Sequence, residues 1–84
     1  MEKIYLLIQD YVTDLNPEFK VNAYKTKNGA TKAFNDAVNE SKPQDEENGF
    51  SIDVDTDTEY EAYEDGYYLD NHSHIYIKEV EIEN

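Results

Sequence analysis

Apolar and polar positions alternate over the first dozen residues. Between residues 3 and 12, an extended chain would place apolar side chains on both faces, with Ile4, Leu6 and Ile8 on one and Tyr5, Leu7 and Tyr11 on the other. A period of two with β-favouring residues predicts a strand. Because both faces are apolar, we expect this strand to be central in its sheet.

A second, shorter alternation follows a group of turn-forming residues. Asp14, Asn16 and Pro17 supply turn chemistry, and the next apolar positions are Phe19, Val21 and Ala23. We therefore expect a reversal at residues 14–17 and a second strand antiparallel to the first.

The period changes from two to about 3.6 at Thr26. Apolar residues then recur with helical spacing at Ala30, Ala33, Phe34, Ala37 and Val38. This stripe predicts an amphipathic helix with Thr26 as its N-cap, running to about Ser41. Pro43 is expected to end the helix, because the residue before a proline is pushed out of the α region, and residues 44–49 are expected to form an exposed loop.

Three further strands are predicted after this loop. Phe50, Ile52 and Val54 alternate with polar residues, a strand follows at residues 59–63, a turn falls at residues 64–66, and the last strand covers residues 74–82. Ile75 and Ile77 share one face of the last strand, whereas Val80 and Ile82 have the opposite parity. A β-bulge near residues 78–79 would bring the four onto one face.

The resulting order, β-β-α-β-β-β, predicts an α+β fold with one helix packed on one face of a mainly antiparallel sheet. The 84 residues leave room for a single domain, residues 1–84. In the core, we expect the helix residues Phe34, Ala37 and Val38 to pack on the first and third strands. The strand residues expected in this contact are Ile4, Leu6, Ile8, Ile52 and Val54.

Composition sets the broad class of the protein. There is no cysteine, which fits a reducing compartment, and the first apolar run is too short for a signal peptide or a membrane span. We therefore expect a cytoplasmic protein that does not interact with membranes. Eight tyrosines and three phenylalanines, interleaved with aliphatic residues, favour a folded domain over an acidic disordered chain.

The formal net charge of −13 is distributed unevenly along the chain. Residues 1–42 contain six acids and six lysines, whereas residues 43–84 contain fourteen acids and only Lys78 as a base. The second half therefore carries the whole net charge. Solubility alone needs a net charge of only about 2 to 8 in a small domain, so a charge of this size invites a functional explanation.

Acids are densest at every second position from Asp53 to Glu61. In an extended segment, even one with a turn near residues 57–58, these carboxylates would project to one side about 6.6 Å apart, a spacing like that of backbone phosphates. Tyrosines of the kind enriched at interfaces lie among and after them. The predicted partner-binding residues are Asp53, Asp55, Asp57, Glu59, Tyr60, Glu61, Tyr63, Glu64, Asp65 and Tyr67.

In size, charge and tyrosine-rich acidic strands, residues 43–77 resemble the small acidic nucleic-acid mimics of phages and mobile elements, such as anti-restriction and anti-CRISPR proteins. The resemblance covers about half the chain. It implies an inhibitor whose carboxylates occupy the basic DNA or RNA channel of a nuclease or other nucleic-acid-binding protein. Immunity proteins that neutralise basic nuclease toxins would work by the same physics.

Other functions compete with this hypothesis. A competing interpretation is that the acids only line a solvated edge strand of a small accessory domain, where charge discourages aggregation. Residues 53–64 also place acids at positions 1, 3, 5, 9 and 12 of a calcium loop, but Thr58 stands where the sharp turn needs glycine. His72 and His74, with Asp70 nearby, are too few for a typical zinc site, so no metal is predicted.

Two classes of function have little support in the sequence. The chain shows neither a nucleophile–base–acid pattern nor a glycine-rich phosphate loop, so neither enzymatic activity nor a cofactor is predicted. Direct nucleic-acid binding is disfavoured, because phosphates need clustered lysine or arginine and the dominant field here is repulsive. The predicted partner is a basic protein surface, and the chain is expected to be a monomer or a small homo-oligomer.

Overall fold

The computed structural model describes residues 2–13, 16–65 and 70–82. Its elements are β1 (Glu2–Thr13), β2 (Asn16–Tyr24), α1 (Lys27–Glu47), β3 (Ser51–Asp55), β4 (Glu59–Asp65) and β5 (Asp70–Ile82). The five strands form one sheet in the order β2-β1-β5-β4-β3, and every neighbouring pair is antiparallel. The predicted β-β-α-β-β-β fold is confirmed.

The helix begins where the sequence predicts. Thr26 has extended backbone angles, and its Oγ1 accepts a hydrogen bond from the Gly29 N–H at 3.0 Å, so it is the N-cap. Ala30, Phe34 and Val38 are buried, and the alanines between them pack against the same core. The predicted apolar stripe is therefore the face that α1 turns to the sheet.

The predicted end of the helix is wrong. α1 continues through Pro43 to Glu47, and Asn48 is its C-cap, with the φ of +82° at Gly49 turning the chain away. Pro43 removes one N–H from the helical ladder, which leaves the carbonyl of residue 39 without its helical donor. Asn39 is exposed, so water can bond to that carbonyl. Residues 44–47 are therefore helical instead of belonging to the predicted loop.

The face of β1 that meets the helix is the opposite of the predicted one. Leu7 belongs to the core cluster and Tyr11 packs against it, whereas Ile4, Leu6 and Ile8 face away from α1. The register of the neighbouring strands explains which face of β1 meets the helix. The face of Leu7 also carries Tyr60 and Ala62 of β4, whereas the other face carries glutamates, whose burial under a helix would cost desolvation energy.

The β-bulge lies in a different strand from the predicted one. β5 pairs with β1 in unbroken register from His72 to Ile82, so Val80 and Ile82 stay on the face opposite to Ile75 and Ile77. The register shifts instead within β3, between Ile52 and Val54. Ile52 consequently packs against the core as predicted, whereas Val54 pairs with Glu61 and faces away from the helix.

Two predicted turns differ in position from the structure or fall partly outside it. Asp14 and Gly66 lie outside the described residues, whereas Asn16 and Pro17 begin β2 and Glu64 lies within β4. The turn near residues 57–58 is confirmed. Thr56 closes it, with its amide donating to the Glu59 carbonyl at 2.8 Å and its Oγ1 accepting from the Glu59 amide at 3.0 Å.

Among residues 2–13, 16–65 and 70–82, no helix covers the second face of the sheet. We call the sheet face turned away from α1 the open face. Its apolar residues lie mainly on β1, β2 and the end of β5, and Phe19 and Val21 are the most exposed, at 64% and 46%. The described residues include no helix with the length and apolar character needed to cross a membrane.

Candidate functional site

Much of the charge of the second half collects at one edge of the sheet. β3 is an edge strand, and the end of α1 lies close to it, because Glu46 and Asp55 both act electrostatically on Lys42 and on Tyr60. We call the exposed carboxylates of this region the acidic edge, which consists of Glu46, Glu47, Asp53, Asp55 and Asp57. The opposite edge is β2, which belongs to the half with balanced charge.

The predicted single row of carboxylates is divided by the sheet. Asp55 pairs with Tyr60 and therefore faces the helix side, where its Oδ2 lies 2.8 Å from Lys42 Nζ. Glu59 and Glu61 pair with Tyr76 and His74 on the open face. The β3 bulge and the turn at residues 56–58 break the alternation, so the prediction that five acids project to one side is wrong.

The ion pair between Lys42 and Asp55 is the one ion pair of the acidic edge within the described residues. The hydrogen bond to Asp55 raises the pKa of Lys42, and the charge of that carboxylate adds to the effect. Lys42 therefore remains a cation. The other four carboxylates of the acidic edge face solvent without such a partner, which makes them available to a basic surface.

The predicted partner residues of β4 are not all accessible. Tyr60 is fully buried in the core, so its prediction as a partner contact is wrong. Tyr63 is half-buried on the open face, opposite His72, and Glu64 is half-buried near the end of the strand. Asp65 ends β4, and Tyr67 lies outside the described residues. The exposed acids therefore remain the stronger candidates for binding.

A mixed group of donors lies on the open face between β4 and β5. Ligand atoms of Glu59, Glu61 and His74 all lie within 4.8 Å of one another, and His74 Nε2 is 2.8 Å from Glu59 Oε2. The imidazole stacks on Tyr76 at 4.4 Å between ring centroids. An imidazole nitrogen with two carboxylates is a donor set that can hold a divalent transition metal.

This group differs from both metal patterns in the sequence. His72 turns to Asp10, with 3.6 Å between Nε2 and Oδ1, and does not join His74. Residues 53–64 form the end of β3, a turn and β4, so their acids do not surround one point as a calcium loop requires. Cross-strand register brings Glu61 opposite His74, and register is not readable from spacing along the chain.

The last turns of α1, which the sequence predicts to be a loop, carry a buried carboxylate. Asp45 is 6% exposed, and it accepts hydrogen bonds from the Tyr60 hydroxyl at 2.7 Å and the Ser73 hydroxyl at 3.1 Å. Burial raises the pKa of Tyr60, and the bond to Asp45 raises it further. Asp45 lies seven residues after Val38 and so continues the buried stripe, a signal hidden by the expectation that Pro43 ends the helix.

Asp45 borders a cavity of about 300 Å³ between α1 and the sheet. Tyr11 and Ser41 also line it, and the Tyr11 hydroxyl donates to Gln9 Oε1 at 2.7 Å. Burial raises the pKa of Tyr11 as well, so both tyrosines stay neutral donors at ordinary pH.

No protein-family model, curated protein or solved structure matches this chain.

Proposed function

We propose that this protein is a non-enzymatic, cytoplasmic interaction protein whose acidic edge binds a basic surface of a nuclease or other nucleic-acid-binding protein. In that complex it would compete with DNA or RNA for the same surface. The observation that carries the proposal is the separation of charge. Fourteen acids and one lysine lie in the second half of the chain, and five of those acids form the exposed acidic edge, on β3, on the turn after it and on the neighbouring end of α1.

Solubility alone does not account for this arrangement. Like charges at one edge repel one another and destabilise the compact state, whereas mixed charges on an edge strand would block aggregation equally well. The first half of the chain uses such a mixture. A one-sided acidic field is the arrangement that steers a positively charged partner and repels nucleic acid itself.

Charge reversal on the acidic edge tests the proposal. In Asp53→Lys/Asp57→Lys, two exposed acids outside the Lys42 ion pair are reversed, which changes the net charge from −13 to about −9. We expect binding to the captured partner to fall on the order of tenfold or more at low salt, and the parent complex to weaken as salt rises. The measurement is capture from a lysate of the native host, with release by added duplex DNA or RNA.

The matched control is Asp36→Lys/Glu81→Lys, which makes the same charge change at exposed residues of α1 and β5, outside the acidic edge. This variant should capture the partner as the parent does. Equal capture by the parent and both double variants would contradict the proposal, and so would a captured protein that added nucleic acid fails to release.

The group of Glu59, Glu61 and His74 favours a second candidate function, binding of a divalent cation. Three protein ligands with a water in the fourth position is an arrangement that zinc accepts, whereas calcium takes six to eight oxygens. We therefore expect calorimetry to show saturable binding of Zn²⁺ and none of Ca²⁺. His74→Ala should abolish zinc binding. His72→Ala is the control, and equal binding by the two alanine variants would exclude this site.

A further inference from the structure

Asp45 is a buried carboxylate that forms no ion pair with the part of the chain that the structure describes. Its two oxygens accept one hydrogen bond each, from the hydroxyls of Tyr60 and Ser73. None of the ion pairs among residues 2–13, 16–65 and 70–82 includes it. Among the described residues, both hydrogen-bond partners of its carboxylate are therefore neutral hydroxyl groups.

This coordination leaves capacity for a positive group. A carboxylate offers about four lone-pair sites, and two hydroxyls occupy two of them. Buried charges are normally paired with an opposite charge, because neutral hydrogen bonds replace only part of the lost hydration. A cation next to Asp45 would supply the missing compensation.

The cavity beside Asp45 gives such a cation room to enter. Its volume of about 300 Å³ is at the small end of ligand sites. Tyr11, Ser41 and Gln44 line it together with Asp45, and the exposed carboxylates of Glu18 and Glu40 add negative charge to its lining. Lys20 also lines the cavity, but its Nζ lies 3.0 Å from Glu18 Oε1, so this lysine is already held by another carboxylate.

We propose that this cavity binds an alkylammonium or alkylguanidinium group against the carboxylate of Asp45. One source of that group is a free amine. The other is a lysine or arginine side chain of the basic partner, a source that rests on the function proposed above. A side chain of the partner could reach the cavity, because the cavity adjoins the acidic edge. Asn48 and Phe50 line the cavity and connect Glu47 to the strand that carries Asp53.

Titration with small cations tests the site on the isolated protein. The probes are n-butylammonium and n-butylguanidinium, with n-butanol as the neutral probe, and the readout is the amide chemical shifts of Tyr11, Gln44 and Ser73. For ligands this small we expect saturable shifts with a Kd on the order of 1 mM for the two cations. The neutral probe should produce no saturable shift.

Variants separate a binding role from a structural one. Ser41→Leu fills part of the cavity with an apolar side chain while the carboxylate of Asp45 is kept, and it should weaken binding of both cations on the order of tenfold or more. Asp45→Asn should do the same by removing the charge. Asp36→Asn removes one charge from the exposed face of α1 and should bind as the parent does. If Asp45→Asn fails to fold, Ser41→Leu alone still decides the question.

A peptide with a single arginine between glycines distinguishes the two sources. Binding of this peptide at least as tightly as n-butylguanidinium supports a protein side chain, and weaker binding supports a free amine. Saturation by neither cation would overturn the proposal, as would equal binding by the parent and Ser41→Leu. These outcomes are independent of the acidic-edge variants, so failure of one proposal is distinguishable from failure of the other.

Discussion

Tyr60 donates its phenolic hydrogen to Asp45, and both side chains are buried between α1 and the sheet. The pair holds the last turns of the helix to β4, and Ser73 extends the same contact to β5. Ionising Tyr60 would place a second negative charge beside a buried carboxylate. Burial, which removes water from the hydroxyl, raises the pKa of Tyr60 above the ordinary value of 10.0, and the carboxylate of Asp45 raises it further.

This shift predicts an alkaline limit to stability. Because the folded-state pKa of Tyr60 lies above its unfolded value, the stabilisation is fully present below about pH 10 and is lost as pH rises towards the folded pKa. We expect the free energy of unfolding to fall by up to about 1.4 kcal/mol per pH unit from this residue in that window.

Urea unfolding followed by circular dichroism between pH 8 and 11.5, about one and a half units past the tyrosine pKa, measures the effect. Tyr60→Phe should show a shallower alkaline slope than Tyr76→Phe, which removes a half-buried hydroxyl with no hydrogen-bond partner among the described residues. Identical slopes in the two variants would contradict the role given to Tyr60.

Among the elements that the structure describes, α1 matters most, because it is the helix that covers the core face of the sheet. Phe34 is 2% exposed and packs among residues of β1, β4 and β5. The C-terminal turns that follow Pro43 complete the cover, since they carry Asp45 to its partners. The helix therefore contributes both apolar contacts and a polar anchor.

Truncation of the helix face gives a direct test of this packing. Phe34→Ala should lower the free energy of unfolding by about 3 to 5 kcal/mol, because it leaves a cavity in the core. Phe19→Ala removes the same atoms from a residue that is 64% exposed on β2, and it should change stability far less. Thermal unfolding of the two variants checks the contrast, and equal melting temperatures would exclude Phe34 from the core.

Local pattern was sufficient to predict every element, because alternation and helical spacing are properties of short segments. It was insufficient for the packing. Leu6 and Leu7 are equally apolar, and which one meets the helix depends on the residues that β4 and β5 bring alongside. The same holds for Glu61 and His74, whose contact depends on register. The burial of Asp45 was not predicted, because the hydrogen bonds from Tyr60 and Ser73 that stabilise the helix beyond Pro43 come from residues distant in the sequence.

For the whole molecule, the main feature is the distance between the acidic edge at β3 and the opposite edge of the sheet at β2. The protein measures 48 × 20 × 16 Å, and its long axis follows strands of up to 13 residues. Four inter-strand spacings of about 4.8 Å separate β2 from β3, roughly 19 Å in all. This exceeds the Debye length of about 8 Å at physiological salt. Lysines near β2 therefore do little to neutralise the acidic edge.

The open face affects which positions of this sequence tolerate substitution. Under the helix, a substitution at Leu7 or Ile75 must fit between fixed neighbours, whereas one at Phe19 or Val21 meets solvent. Since neighbouring positions of a strand point to opposite faces, tolerance to substitution should alternate with a period of two along β4 and the first half of β5, where buried and half-buried residues alternate. New surface chemistry can be introduced on the open face at Phe19 and Val21, whereas Ile8 is buried on that face and should tolerate little change.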